Sequence, residues 1–161
     1  MEDVLNVIQY EEIDKILNNH EMDKHNLVGI LLDVQALSPE HYISKGVAEY
    51  LSKKLNIFIS NIYDVITFYS AFSLEPRGKH IIKICNNTCC KVTKYEKLKD
   101  MIENELKIKI GERTSDGMFS LEYSSCFGAC DISPAIRIEE KVYGNLDEAK
   151  IKKIIESYRG K

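Results

Sequence analysis

A chain of 161 residues with a net charge of −3 suits one ordinary domain, or a small domain with a helical extension, and makes no electrostatic case for nucleic acid. Its longest run of apolar residues and glycine, LVGILL at 27–32, is far short of a membrane span, and the acidic opening MEDVLNVIQYEE lacks the basic start of a signal peptide. A cytoplasmic protein without direct membrane insertion is therefore expected.

The first 75 residues read as helical. In DVLNVIQYEEIDKILNN, Leu5, Ile8, Ile13, Ile16 and Leu17 fall roughly on one face, with Asp3 as a possible N-cap. LVGILLDVQAL continues the helical pattern. SPEHYISKGVAEYLSKKL carries a start signal, Ser38 to cap, Pro39 for the first helical position and Glu40 in the first turn, with Tyr42, Val47, Tyr50 and Leu51 at near-helical spacing. In SNIYDVITFYSAFSL, Ser60 is the expected cap and Ile62, Val65, Ile66, Tyr69 and Phe72 the apolar face.

Pro76 and Gly78 break the pattern, so residues 76–161 are read as a second region. KHIIKIC is short and strand-like. KVTKYEKLKDMIENELKI predicts an amphipathic helix with Val92, Tyr95, Leu98, Ile102 and Leu106 in its stripe. GERTSDG reads as a loop, MFSLEYSS as a strand, AIRIEEKVYGN as a hairpin, and LDEAKIKKIIESYRG as a closing helix ended by Gly160. The expected class is mixed α/β (α+β): helices first, then βα…ββα.

The chemistry lies in five cysteines, an odd number set in two groups, which argues against a disulfide framework in a reducing compartment. Cys85 and Cys90 form C-x4-C, Cys126 and Cys130 form C-x3-C, and Cys89 offers a second choice of partner for Cys85. Each group follows a strand-like segment, which would bring both to loops at one end of a sheet. Four thiolates suit tetrahedral zinc or an iron–sulfur cluster. Zinc usually takes pairs two residues apart, so gaps of four and three favour a cluster whose two irons each need a pair, and leave zinc open. Gly128 would let the chain turn closely around inorganic sulfide. A helix beginning near Cys90 would turn its positive end toward the cluster, a formal dianion that becomes a trianion on reduction.

Rival sites are weak. His20, His25, His41 and His80 are scattered, and His80 reads as an exposed strand residue. The thioredoxin C-x-x-C, a P-loop and a dinucleotide fingerprint are absent, so the chain itself should not bind NAD. Lys91, Lys94, Lys97 and Lys99 read as a solvated face. Phe127, between two cysteines, is either a packing residue or a shield over a bound group.

At these residues the sequence resembles the thioredoxin-like [2Fe-2S] ferredoxins, which include the small iron–sulfur subunit of respiratory complex I and its relatives in NAD-linked hydrogenases and formate dehydrogenases. VITFYSAFSLEPRGKHIIKIC is similar to the family's helix–linker–strand segment. CNNTCC is similar to its C-x4-C, GERTSDGMFSLEYSSCFGACDISPAIRI to its second ligand loop, and VYGNLD to its final turn. The resemblance implies an N-terminal helical bundle (1–75) that helps dock partners, followed by a thioredoxin-like [2Fe-2S] domain (76–161). It implies Cys85, Cys90, Cys126 and Cys130 as iron ligands, leaving Cys89 surplus, and Ser133–Pro134 as a candidate cis bond. It further implies outer-sphere electron transfer to and from the flavin of a partner, a flavin- and NAD(P)-binding iron–sulfur subunit in a hydrogenase, formate dehydrogenase or complex I assembly. A free-standing dimeric ferredoxin and a zinc-stabilised interaction module are the alternatives.

Overall fold

Helices come first and strands second. In a computed structural model that describes residues 7–92 and 95–160, with side chains from Tyr10 onward, the chain divides into two compact units between Pro76 and Arg77.

The first unit consists of α1 (Val7–Asn19), a 3₁₀ turn (Lys24–Asn26), α2 (Leu27–Leu37), α3 (Lys45–Leu55) and α4 (Ile59–Phe68). Its core is almost purely aliphatic: Ile13 and Leu17 from α1, Ile30, Leu31 and Val34 from α2, Val47, Ala48 and Leu51 from α3, Ile62 and Ile66 from α4, closed by Ile43 and Phe72. Each such side chain, buried, contributes about 1.5–3 kcal/mol. The turn from α1 into α2 is tied by His20, whose Nε2 meets Asp33 Oδ2 at 2.7 Å and whose Nδ1 meets Asn26 Nδ2 at 2.7 Å. Asp3, Leu5 and the side chain of Ile8 lie outside the described residues.

Two expected helix starts are displaced. Ser38 is the C-cap of α2 rather than the N-cap of the next helix, which begins at Lys45 with the Ser44 hydroxyl accepting from the Val47 N–H. The intervening backbone is held elsewhere. His41 adopts a left-handed φ of +49°, and Ile43 enters the core with its N–H donated to Ser73 O at 2.9 Å. Buried Gln35 pins the same return segment, donating from Nε2 to Ala71 O and accepting from Ser73 N–H, each at 3.0 Å. Likewise Ser60 lies inside α4. The cap position there belongs to Phe58, which supplies no side-chain bond. Phe72 is buried but lies beyond the end of α4, and Tyr69 is exposed.

The second unit is a four-stranded sheet of order β2-β1-β3-β4, with β1 (His80–Cys85), β2 (Phe119–Ser124), β3 (Ile136–Ile138) and β4 (Lys141–Tyr143). β1 runs parallel to β2, pairing His80 with Phe119 and Cys85 with Ser124, and antiparallel to β3, while β3 and β4 form the expected hairpin. Two helices, α6 (Tyr95–Leu106) and α7 (Glu148–Arg159), cover one face. Ile82, Ile84, Phe119, Leu121, Ile136 and Ile138 of the sheet meet Tyr95, Leu98, Ile102 and Leu106 of α6, and Ile151, Ile155 and Tyr158 of α7. β1 enters the sheet beside β2 so closely that a Cβ on Gly78 would stand 2.3 Å from the Phe119 carbonyl carbon, and the Gly78 N–H donates to Ser120 Oγ at 2.7 Å.

A short helix α5 (Thr88–Val92) lies between β1 and α6. Val92 does not share the buried stripe of α6: it is 81% exposed. His80 is buried rather than exposed, because its position in β1 puts it on the helix-covered face. There it packs against Phe119 and Tyr158, with Nδ1 2.8 Å from Glu139 Oε1. Ser133–Pro134 is cis. No helix among the described residues is long and apolar enough to cross a membrane.

Candidate metal centre

Parallel pairing of β1 and β2 in register brings their C-terminal ends to one edge of the sheet, and there the two cysteine groups meet. Cys85 is the buried last residue of β1, and Cys90 is half-buried in α5. The turn between them is held by Asn87, whose Oδ1 accepts from the Thr88 N–H at 2.7 Å and whose carbonyl accepts from the Lys91 N–H at 3.0 Å. Cys126 follows β2, and Cys130 opens a 3₁₀ turn that ends at Ile132. Both are exposed.

Four of the five cysteines, Cys85, Cys90, Cys126 and Cys130, line one small cavity together with Phe127, Ala129, Ser133 and Ala135. The thiols interact in pairs, Cys90 with Cys85 and Cys126 with Cys130, and Cys126 with Cys85 links the groups across the cavity. Among the described residues no three His, Cys, Asp or Glu form a cage for a single ion. Cys89 is not among the lining residues. It is exposed, near enough to Cys130 to act on it electrostatically.

The thiols differ in their surroundings. Burial, then the hydrogen bond with Cys85 and the nearby cysteines, pushes the Cys90 pKa up to about 12. Cys126 is held below the usual thiol range, first by the Gly128 N–H donating to its sulfur at 3.4 Å, then by Cys130. Cys130 is pushed up, chiefly by its bond with Cys126. A loop N–H directed at a sulfur, four thiols and small neighbours such as Gly128, Ala129 and Ala135 form a donor set that fits a group wanting four thiolates and little competing bulk. Gly128 earns its place through conformation: its φ is +79°, and a Cβ there would meet no protein atom within 4 Å.

Other expected features fall less neatly. Cys90 lies inside α5 (Thr88–Val92), two residues after its start, and residues 93 and 94, between α5 and α6, lie outside the described residues. Lys91 and Lys97 are exposed and Lys99 is half-buried, while Lys94 lies outside the described residues. Residues that sequence reasoning passed over are Ala135 and Arg137. Arg137 stacks over Phe127, its guanidinium carbon 6.0 Å from the ring centre. The available signal was the IRI of β3, one charge between two buried isoleucines on an inner strand.

The chain was compared with known proteins. The model of the thioredoxin-like [2Fe-2S] ferredoxin family matches residues 13–159. The chain is 31% identical over 149 residues to the NADP-reducing hydrogenase subunit HndA of Solidesulfovibrio fructosivorans, covering 92% of this chain and 86% of that one. It is 34% identical over 148 residues to an NADH-quinone oxidoreductase subunit of Buchnera aphidicola subsp. Baizongia pistaciae, covering 92% and 85%. Against the like-named subunit of Escherichia coli K12 it is 28% identical over 155 residues, covering 96% and 92%. Among solved structures, an NAD+-reducing [NiFe]-hydrogenase in the air-oxidised state superposes with a TM-score of 0.67 at 22% identity, a likeness of fold. The match spans 81% of this chain but only 23% of the hydrogenase chain.

Proposed function

The chain belongs to the thioredoxin-like [2Fe-2S] ferredoxin family, and from that premise we propose that it is an electron-transfer subunit in which Cys85, Cys90, Cys126 and Cys130 hold one [2Fe-2S] cluster. Such a cluster is the family's cofactor, and the relatives above are named as subunits of hydrogenase and of NADH-quinone oxidoreductase. The observation that carries the ligand assignment is the shared cavity, lined by these four cysteines and not by Cys89.

Bound there, the cluster supplies one-electron transfer, so no substrate bond is made or broken on this chain. The protein's own work is to hold and insulate. β1 fixes Cys85 in a buried position, α5 presents Cys90, and the loop after β2 sets Cys126 and Cys130 with the Gly128 N–H on the Cys126 sulfur. Hydrogen bonds of that kind, with local burial, set the potential of a thiolate-bound cluster.

The electron partner under this reading is the flavin of an NAD(P)H-linked flavoprotein, itself an iron–sulfur subunit of a hydrogenase, formate dehydrogenase or complex I type of assembly, in the cytoplasm. The helical unit is the docking part. In support, it exposes two phenylalanines to 80%, Phe58 and Phe68, at the two ends of α4. Exposed large aromatics of this sort are characteristic of surfaces that a partner covers.

The test is anaerobic purification with iron, sulfide and zinc analysis, and EPR after dithionite. Two irons and two sulfides per chain with a reduced S = 1/2 signal are expected, lost in each Cys→Ser variant at 85, 90, 126 and 130. A colourless zinc protein would defeat the reading. A cluster-bearing chain that binds no larger subunit would identify a free-standing carrier instead.

A further inference from the structure

Arg137 is the middle residue of β3, between buried Ile136 and Ile138 and therefore on the face of the sheet that α6 and α7 leave uncovered. The same alternation in β1 puts Lys83 and Cys85 on that face. The antiparallel register pairs Arg137 with Lys83, which leaves Cys85 one diagonal step away, a separation that long side chains still span. On its other side the guanidinium carbon lies 6.0 Å from the centre of the Phe127 ring, within cation–π range. Phe127 sits between Cys126 and Gly128 and lines the cysteine cavity. One side chain thus borders both cysteine groups.

Little neutralises its charge. Glu122, the partner of Lys83 on β2, is taken by Arg77, whose Nε lies 2.7 Å from Glu122 Oε1. Lys83 is a second cation on the same patch. Like charges directly across a ladder are unfavourable, and Arg137 Nε is buried without a hydrogen-bond partner. A buried, unpaired donor on a side chain that cannot lose its proton is destabilising. A negative group in the adjoining cavity relieves both penalties.

We infer that Arg137 is a positioning residue for the cysteine site: it holds the Phe127 ring as a wall of the cavity, and its uncompensated charge favours the reduced, more negative state of the group bound there. This rests on the ligand assignment proposed above. Arg137 lies over the Phe127 ring and one diagonal ladder step from Cys85, and it is not itself a ligand. A merely structural arginine would change stability when replaced and leave the potential where it was.

The experiment is an EPR-monitored redox titration of the wild type, Arg137→Gln and Arg137→Lys, with the rate of iron loss to a chelator measured in parallel on these and on Phe127→Leu. In Arg137→Gln the midpoint should move negative, reduction weakening about three- to tenfold, which for a one-electron couple is about 30–60 mV. Arg137→Lys keeps the charge without the planar stacking face, so its midpoint should stay near wild type while iron loss accelerates, as in Phe127→Leu. An unmoved midpoint in Arg137→Gln with an intact EPR signal overturns the inference and leaves the ligand assignment standing. If Arg137→Gln loses its iron during purification, Arg137→Lys decides: a midpoint near wild type with faster iron loss upholds the inference, and a negative shift despite the retained charge overturns it. A wild-type chain that holds no cluster defeats the ligand assignment itself.

Discussion

The two units handle charge and apolar surface in opposite ways. In the helical unit the core is aliphatic and the ion pairs sit outside, Lys54 with Asp14 and Lys45 with Glu49, while Phe58 and Phe68 face solvent. In the sheet unit charge moves inward: Arg77 with Glu122, Lys83, Arg137, and Glu103 at 7% exposure. The exposed large apolar residues of the sheet unit are Val92 and Tyr123, near the two cysteine groups in sequence. A unit with exposed aromatics, and with no buried charged residue among its described residues, is suited to be covered by another protein. A unit that sets Lys83 and Arg137 on the same sheet face as Cys85 is suited to set the electrostatics of what the thiol-lined cavity holds. Under the proposed function, docking and electron holding are divided along the chain.

Breaking the site is the largest test of that division. Cys85→Ser should abolish the cluster, because the buried end of β1 offers no other thiol at its position, while circular dichroism of the helical unit stays unchanged. Reciprocally, Phe68→Asp should leave iron content and EPR untouched and weaken association with the larger subunit. An aromatic anchor of the usual strength, at least about 2 kcal/mol, corresponds to about a 30-fold loss of affinity, readable by co-purification or calorimetry. If Phe68→Asp bleached the cluster, or Cys85→Ser released the partner, the division would fail.

The contrast also explains what could be seen in the sequence. The sheet unit was largely legible, since HIIKIC is short and rich in β-branched residues, FSLEYS alternates in sequence, and the cysteines mark their C-terminal ends. The helical unit was legible in its apolar stripes but not in its ends. Ser38–Pro39–Glu40 is a good local start signal that lost to Ile43 entering the core and to the Ser73 carbonyl that holds its N–H. That competition is between residues 30 apart, which no local rule reads. Val92 fell out of the α6 stripe and His80 went inward for the same reason: periodicity says which residues share a face, and tertiary packing says where that face ends. The meeting of the two cysteine groups at one sheet edge followed from spacing and strand pairing, and the choice of Cys90 over Cys89 came from the family resemblance rather than from spacing. The exclusion of Cys89 from the cavity and the placing of Arg137 on Phe127 depended on side-chain directions that spacing does not specify.

A middling effect separates the units by acid. The Lys109 hydrogen bond, with the Ile110 N–H, holds the Glu103 carboxyl below the usual range, and Lys54 and then Tyr50 do the same for Asp14. Both carboxyls are depressed in the folded chain, so their contribution is present above the unfolded value near about 4 and is lost as pH falls through the folded one. Glu103 is buried and bonded twice, whereas Asp14 and Lys54 are both well exposed. Glu103→Gln should therefore cost about 1–3 kcal/mol near neutrality, and Asp14→Asn no more than about 1 kcal/mol. Urea melts at pH 7 and pH 3 measure both. The difference between Glu103→Gln and wild type should shrink at the lower pH, and a difference that grew there would reverse the sign of the argument.

The smallest expected effect is the most selective. Cys89 directly precedes a cavity-lining cysteine and stands four residues after another, so by spacing alone it competes with Cys90 for the same role. The geometry distinguishes them. Cys90 is half-buried and bonded to Cys85, while Cys89 is exposed on α5, outside the cavity lining, and acts on Cys130 electrostatically. Cys89→Ser should accordingly keep two irons per chain and an unchanged reduced EPR spectrum, with a midpoint that moves less than in Arg137→Gln. Alkylation before and after cluster removal gives a second readout: Cys89 should be the one thiol labelled in the loaded protein, and the other four only once iron is stripped. Labelling of Cys90 in the loaded protein would mean that Cys89, and not Cys90, holds iron.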